Sequence, residues 1–396
     1  MDSDAGIASN EHKRNKQWQE NIPIRARGAS VNEDLDDKYS IQYRDMIWTG
    51  ISIITRAITV IMNINLALNY YQNGNFNCFI WTSASIVIPT IVTTLIHATM
   101  CLQDRDLNQE VLKVPWITLV LSFLFRYWNV LFYAIKCKKA ECNSDPESQK
   151  KFYKLKIREE SDVAFIRIFD CFLEAAPQKI LQITIVLSLP ERISTLQTVV
   201  ICGYFGTMAW CLSDYHRCNR YAQIDKQKME TNGFVLQLCW HFCVSVSRIL
   251  CLSLVASLFP LWTLFGCIMH SIFFGVLTYL IDYPQFCAVS LGKFLFCMIL
   301  GFVYLFTYIM PKDGRTRNKY IIYYTLNSLE NIACVALFIL FSSDSMRSSM
   351  LFYPLCILSV AFYYIGILCM ILYYTRFHPK ITARSSKLIL NYALNK

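Results

Sequence analysis

Ten apolar stretches of roughly bilayer-spanning length follow one another along the chain: 46–70, 79–101, 114–135, 163–189, 194–213, 233–257, 260–281, 286–310, 320–341 and 350–375. A helix needs about 20 apolar residues to cross a hydrocarbon core about 30 Å thick. Only helices and closed barrels satisfy their own backbone there. The pattern predicts an all-α polytopic membrane protein. Composition agrees, because 55% of the residues are hydrophobic and only 17% charged, below the usual quarter for a soluble domain. The formal charge of +10 then reads as connections that face an anionic inner leaflet, and no nucleic-acid partner is expected.

Simple alternation of ten spans fails an electrostatic test. It places the connection 136–162 outside, with Lys136, Lys138, Lys139, Lys150, Lys151, Lys154, Lys156 and Arg158, against the positive-inside rule. Letting 79–101 turn back near Pro89, and 260–281 turn back after Pro260, repairs this. Eight transmembrane helices plus two re-entrant helices remain. Connections 136–162, 214–232 and 311–319 become cytoplasmic, as does the tail from Arg376.

This solution divides the chain into a disordered cytoplasmic tail (1–45, with no signal peptide), a first membrane repeat (46–213), a basic linker (214–232), a second repeat (233–375) and a cytoplasmic tail (376–396). The halves are pseudo-symmetric and run in the same direction, an architecture known from transporters. Arg56 in SIITRAITVI matches Arg248 in VSVSRILCLSL, and Glu174 in DCFLEAAP matches Glu330 in LNSLENIA.

The segment DVAFIRIFDCFLEAAPQKILQITIVL, 162–187, is apolar enough for a bilayer yet carries Arg167, Asp170, Glu174, Gln178, Lys179 and Gln182. An ionisable group at the centre of a span costs about 2.5–3.5 kcal/mol and marks function by default. Arg167, Asp170, Glu174 and Gln178 recur at i, i+3, i+7 and i+11, one face of a helix. Pro177 breaks the helix. Arg56, Arg126, Arg248, Lys293 and Glu330 complete the intramembrane set.

Two readings compete. In the structural one, Arg56 braces Glu174 or Asp170, Arg248 braces Glu330, and Lys293 and Arg167 reach toward the interfaces. In the functional one, the charges line a route for a lipid headgroup, or for a small solute carried by alternating access. A third possibility is a membrane anchor with no transport of its own, recruiting a partner through its basic connections.

Enzyme signatures are missing: there is no Walker A, GxSxG, HExxH or Rossmann glycine pattern. Cys137/Cys142 and Cys239/Cys243 lack CxxC spacing, so no metal and no cofactor are expected. His97, His241 and His270 read as packed core histidines.

FIRIFDCFLEAAPQKILQITIVL resembles the signature of the XK-related family, through Asp170, Glu174, Pro177, Gln178, Leu181 and Gln182. Lys179 departs from it, standing where members commonly carry an aliphatic residue. The resemblance spans roughly 45–375. It implies eight transmembrane and two re-entrant helices, a plasma-membrane location and, in some members, ATP-independent phospholipid scrambling that exposes phosphatidylserine on dying cells for engulfment. The partners it implies are phospholipids, an activating caspase, a single-span chaperone subunit and a bridge-like lipid-transfer protein. The tail after Arg376 has no Asp, so the candidate caspase site is Asp34-Leu35-Asp36-Asp37, cut after Asp34 or Asp37. Lys38 disfavours cleavage there, and a solvated acidic run is the plainer reading.

Overall fold

The computed structural model describes residues 40–41, 43–105, 122–188, 195–222, 229–282, 284, 289–309, 317–348, 350 and 352–377. Asp34, Asp37 and most of both tails lie outside them. All regular secondary structure among the described residues is helical. In the first half these elements are α1 (Tyr43–Gln72), α2 (Phe76–Arg105), α3 (Ser122–Cys142), α4 (Pro146–Phe169), a π-helical segment (Asp170–Ala175), α5 (Ala176–Ser188) and α6 (Thr195–Ala222). The second half contains α7 (Thr231–Leu258), α8 (Pro260–Ile281), α9 (Ser290–Val303), α10 (Arg317–Phe341), the short α11 (Asp344–Arg347) and α12 (Phe352–Leu372) with a π turn at Tyr373–Phe377. Six helices, α1, α2, α7, α8, α10 and α12, are long and apolar enough to cross a membrane, so the chain is a multi-pass membrane protein.

One end of the bundle collects the basic connections. Ser40 at the start of α1 hydrogen-bonds Glu141 at the end of α3, Lys319 at the start of α10 pairs with Asp282 after α8, and Gly233 near the start of α7 abuts Phe377. The α3–α4 hairpin at this end is held by local chemistry. Ser144 adopts a positive φ of 53°, Asp145 caps α4 by accepting from the Ser148 N–H, and Pro146 opens the helix where no N–H is needed. The Ser148 bond also holds the Asp145 carboxyl below the ordinary carboxylate range.

The structure corrects the placement of the re-entrant segments. Segment 79–101 does not turn back at Pro89; it lies within one continuous helix of 30 residues, about 45 Å long. Segment 260–281 is likewise one helix of 22 residues, ending beside Lys319. The short element is α9, with 14 residues and about 21 Å of length, less than a bilayer core. Its first residue, Ser290, meets Tyr279 in the last turns of α8 at 3.0 Å. The non-helical chain after it returns to the start of α10, where Tyr308 packs on Tyr320 with ring centroids 5.4 Å apart. Both ends of the described stretch 289–309 therefore lie at the basic end. Close backbone approach fixes α9 against α8: a Cβ on Gly301 would sit 2.0 Å from the Ser271 carbonyl oxygen, so only glycine fits there.

Helix α7 is the central post. Almost every residue from Cys243 to Ala256 is buried, because α5 and α6 of the first half pack on one side of it and α10 and α12 on the other. The main core cluster accordingly draws Ile168, Phe172 and Met208 from the first half together with Ile249, Leu300 and Tyr323 from the second.

Candidate functional site: two buried charge clusters

The longest uninterrupted stretch of helix runs through α4, the π segment and α5, which have 24, 6 and 13 residues end to end. Pro177 is the second residue of α5, and the helix passes through it. Because Pro has no N–H, the backbone pairing ahead of it loosens into the π segment, where the Ala176 N–H reaches Cys171 O. The break expected at Pro177 is thus a widened turn just upstream, holding Asp170 and Glu174.

That turn aims both carboxylates at α1. Arg56 Nη2 lies 2.8 Å from Glu174 Oε2 and 3.4 Å from Asp170 Oδ1. Asn63, two turns further along α1, donates to Glu174 Oε1 at 2.7 Å. Nearer the basic end, Arg167 leaves this group and pairs with Asp214 of α6 at 3.3 Å. Arg217 reaches the other Asp214 oxygen at 2.6 Å. Arg167, Asp214 and Arg217, with Thr49, Ser52 and Glu160, line a cavity of about 360 Å³.

In the second half, Arg248 is almost fully buried and committed in every direction. Its Nε donates to Leu305 O at 2.7 Å, its Nη1 to Asn331 Oδ1 at 2.8 Å, and its Nη2 to Glu330. The remaining Glu330 oxygen lies 2.8 Å from His270 Nδ1. This one cluster joins α7, α8, α10 and the chain following α9. It forms the base of an apolar cleft of about 550 Å³, whose walls include Leu252, Phe259, Trp262, Leu337 and Phe341.

The other residues of the sequence-derived set are dispersed. Arg126 of α3 pairs with Asp162 at 2.6 Å and Glu159 at 3.4 Å, forming a third group. Lys179 is buried and donates to Gln182 one turn on at 2.6 Å. Gln178 is buried with its Nε2 unpartnered. Lys293 sits in the first turn of α9, near the basic end. Of the histidines, His270 joins the Glu330 cluster, while His241 stacks on His216 with parallel rings 5.3 Å apart. Among the described residues no group of His, Cys, Asp and Glu is arranged to hold a metal.

Three participants escaped the sequence reading. Asn63 is a lone amide in an apolar run, a usable signal. Asp214 and Arg217 were assigned to the linker because LSDYHR closes an apolar stretch, whereas α6 continues to Ala222. Their pairing with Arg167 has no sequence signature.

Comparison with known proteins places the arrangement in a family. The chain is 26% identical over 339 residues to XK-related protein 9 of Tetraodon nigroviridis, covering 81% of this chain and 87% of the relative. It is 23% identical over 368 residues to cell death abnormality protein 8 of Caenorhabditis briggsae, covering 86% and 79%. The family model described as XK-related protein matches residues 47–379. That match takes in both charge clusters and every helix from α2 to α12, and the chain belongs to the XK-related family.

Proposed function

We propose that this chain is an ATP-independent phospholipid scramblase of the plasma membrane, moving lipids such as phosphatidylserine between leaflets. The supporting observation is the depth order of the first-half charges. From the basic end inward, the α4 rod presents Glu160, Arg167, Asp170 and Glu174, while α1 presents Thr49, Ser52, Arg56 and Asn63. A headgroup entering the cavity at Arg167 meets polar partners at successive levels toward the middle of the bilayer, and its tails stay in lipid. Hydrocarbon alone offers it none.

The finer topology follows the same reading. The basic end and both termini are cytoplasmic. The stretch 289–309, which contains α9, is re-entrant. The cleft above Arg248 then opens toward the outer leaflet and suits acyl chains. A role in exposing phosphatidylserine on dying cells accords with the name of the nematode relative.

The test is a purified, reconstituted preparation with tail-labelled fluorescent lipid and dithionite. Scrambling brings bleaching beyond the outer-leaflet half, in the full chain or after removal of residues 1–39. Bleaching that stops at half for both preparations overturns the reading. Saturable uptake of a small solute without lipid exchange would replace it with a transporter.

A further inference from the structure

Two cysteine thiols meet where α6 passes the widened turn. The α4 rod and α6 run antiparallel here. Phe165 against Tyr215, with ring centroids 6.1 Å apart, and Arg167 against Asp214 at 3.3 Å fix their register on the basic side. Cys171 lies four residues beyond Arg167, and Cys211 three residues before Asp214, so both stand about one turn deeper on the same seam. The two thiols are hydrogen-bonded side chain to side chain. Cys211 is buried within the main core, and Cys171 is partly exposed and packs against that core. Their neighbours Arg167, Trp210 and Asp214 line the cavity of about 360 Å³. The scrambling reading uses neither thiol.

We infer that Cys171 and Cys211 form a redox-modifiable dithiol, which closes to a disulfide on meeting a hydroperoxide. A partly exposed cysteine set against a resolving partner is the arrangement that responds to peroxide. The Cys171 sulfur attacks one peroxide oxygen and the O–O bond breaks. The thiol proton leaves with the other oxygen as an alcohol, or as water when the oxidant is hydrogen peroxide. Cys171 is then a sulfenic acid. The Cys211 sulfur attacks it, the S–S bond forms and the S–O bond breaks, and the hydroxyl leaves with the Cys211 proton as water. Together the two thiols lose two electrons and two protons, and one hydroperoxide is reduced. Because the thiols already touch, the second step is intramolecular and outruns capture by a soluble thiol. The new bond staples the π segment to α6 at the residue after Asp170, so oxidation restrains the widened turn.

This site does not depend on lipid movement, and neither does its test. The full chain, reduced and reconstituted in phosphatidylcholine vesicles, is treated with hydrogen peroxide or, in a second arm, with phosphatidylcholine hydroperoxide in the same vesicles. Remaining thiols are alkylated and the peptides mapped by mass spectrometry. The bridge between 171 and 211 should form ahead of other pairings, both alkylated peptides should be lost together, and dithiothreitol should return them. A bridge in either arm supports the inference, and the arm that acts identifies the source of the peroxide. In Cys211→Ser, dimedone should trap Cys171 as its sulfenic acid. In Cys171→Ser, the buried Cys211 should stay reduced. Hydrogen exchange across 170–177 should slow in the bridged protein and recover on reduction. Both cysteines recovered in alkylated form after both oxidants, or bridges scattered among the other cysteines, overturn the inference. Unchanged exchange in a bridged protein overturns the stapling of the turn.

Discussion

Arg56 and Arg248 occupy matching places in the two halves, each in the first long helix, each facing an acid from the fourth segment. Their surroundings differ. The Arg56 side chain keeps 20% of its exposure and holds two carboxylates that are 8% and 4% exposed. Arg248 keeps 2% and holds one carboxylate that is 40% exposed. In one half the cation is the accessible member; in the other it is the acid. The first cluster joins α1 to the π segment, and the cavity lined by Arg167 and Asp214 lies nearer the basic end. The second cross-links four pieces of chain and ends at an apolar cleft. On the scrambling reading the first pairing is a lining, whereas the second, by its contacts, is a brace.

Breaking the brace should have the largest effect. Arg248→Leu leaves Glu330, Asn331 and the Leu305 carbonyl without their donor. Removing one member of a buried pair costs about 3–5 kcal/mol, less where the remaining acid is 40% exposed, but the buried Asn331 and Leu305 carbonyl also lose their donor, so the variant should lose its monodisperse gel-filtration peak in mild detergent. The double variant Arg248→Leu with Glu330→Leu should recover part of that loss, because no uncompensated charge remains. If the double variant is no better than the single one, Arg248 acts through packing and the comparison needs revision.

The lining should respond in the opposite sense. Glu174→Gln keeps an acceptor for Asn63 and loses the charge facing Arg56. We expect a thermal midpoint within a few degrees of the unmodified protein and lipid transfer slowed about tenfold, roughly one charge-assisted hydrogen bond. Equal damage to stability from Glu174→Gln and Glu330→Gln would erase the distinction between the halves.

Pro177→Ala supplies the missing N–H and allows the π segment to tighten. A gain of up to about 1 kcal/mol in stability is expected, with slower lipid transfer as Asp170 and Glu174 turn from α1. Hydrogen exchange across 170–177 would register the tightening. The smallest effect belongs to Lys138→Ala, which removes a partly exposed i,i+3 pair with Glu141 worth about 0.5 kcal/mol. Thermal melts should scarcely register it.

The all-helical membrane class was legible because bilayer thickness acts on every span alike, and six of the apolar segments fall in helices long enough to cross. The reversals were misplaced for an equally physical reason. Charge bias reports only which connections share a side. Reversing 79–101 or 114–135 puts 136–162 on the same side, and reversing 260–281 or 286–310 does the same for 311–319. Helix length distinguishes the second pair, since α8 has 22 residues and α9 has 14, and Gly275 and Gly301 let α9 pack backbone to backbone on α8. At the site, the facing of Arg56 with Asp170 and Glu174, and of Arg248 with Glu330, could be anticipated from the cost of unpaired charge. The stripe Arg167–Asp170–Glu174–Gln178 could not be followed further. It divides, with Arg167 turning to Asp214 while the π segment turns its two acids to α1.

The rod made of α4, the π segment and α5 has a mechanical consequence. It is about 60 Å long at the usual helical rise, twice the thickness of a bilayer core, so one end stands well clear of the hydrocarbon. That end is stiffened as a hairpin with α3, where Lys136 lies over the rings of Phe132 and Phe152. A stiff beam conveys a push at its free end to wherever it is weakest. Here the weakest place is the widened turn at Asp170–Ala175, so a load applied at that free end is felt as torsion beneath the two carboxylates.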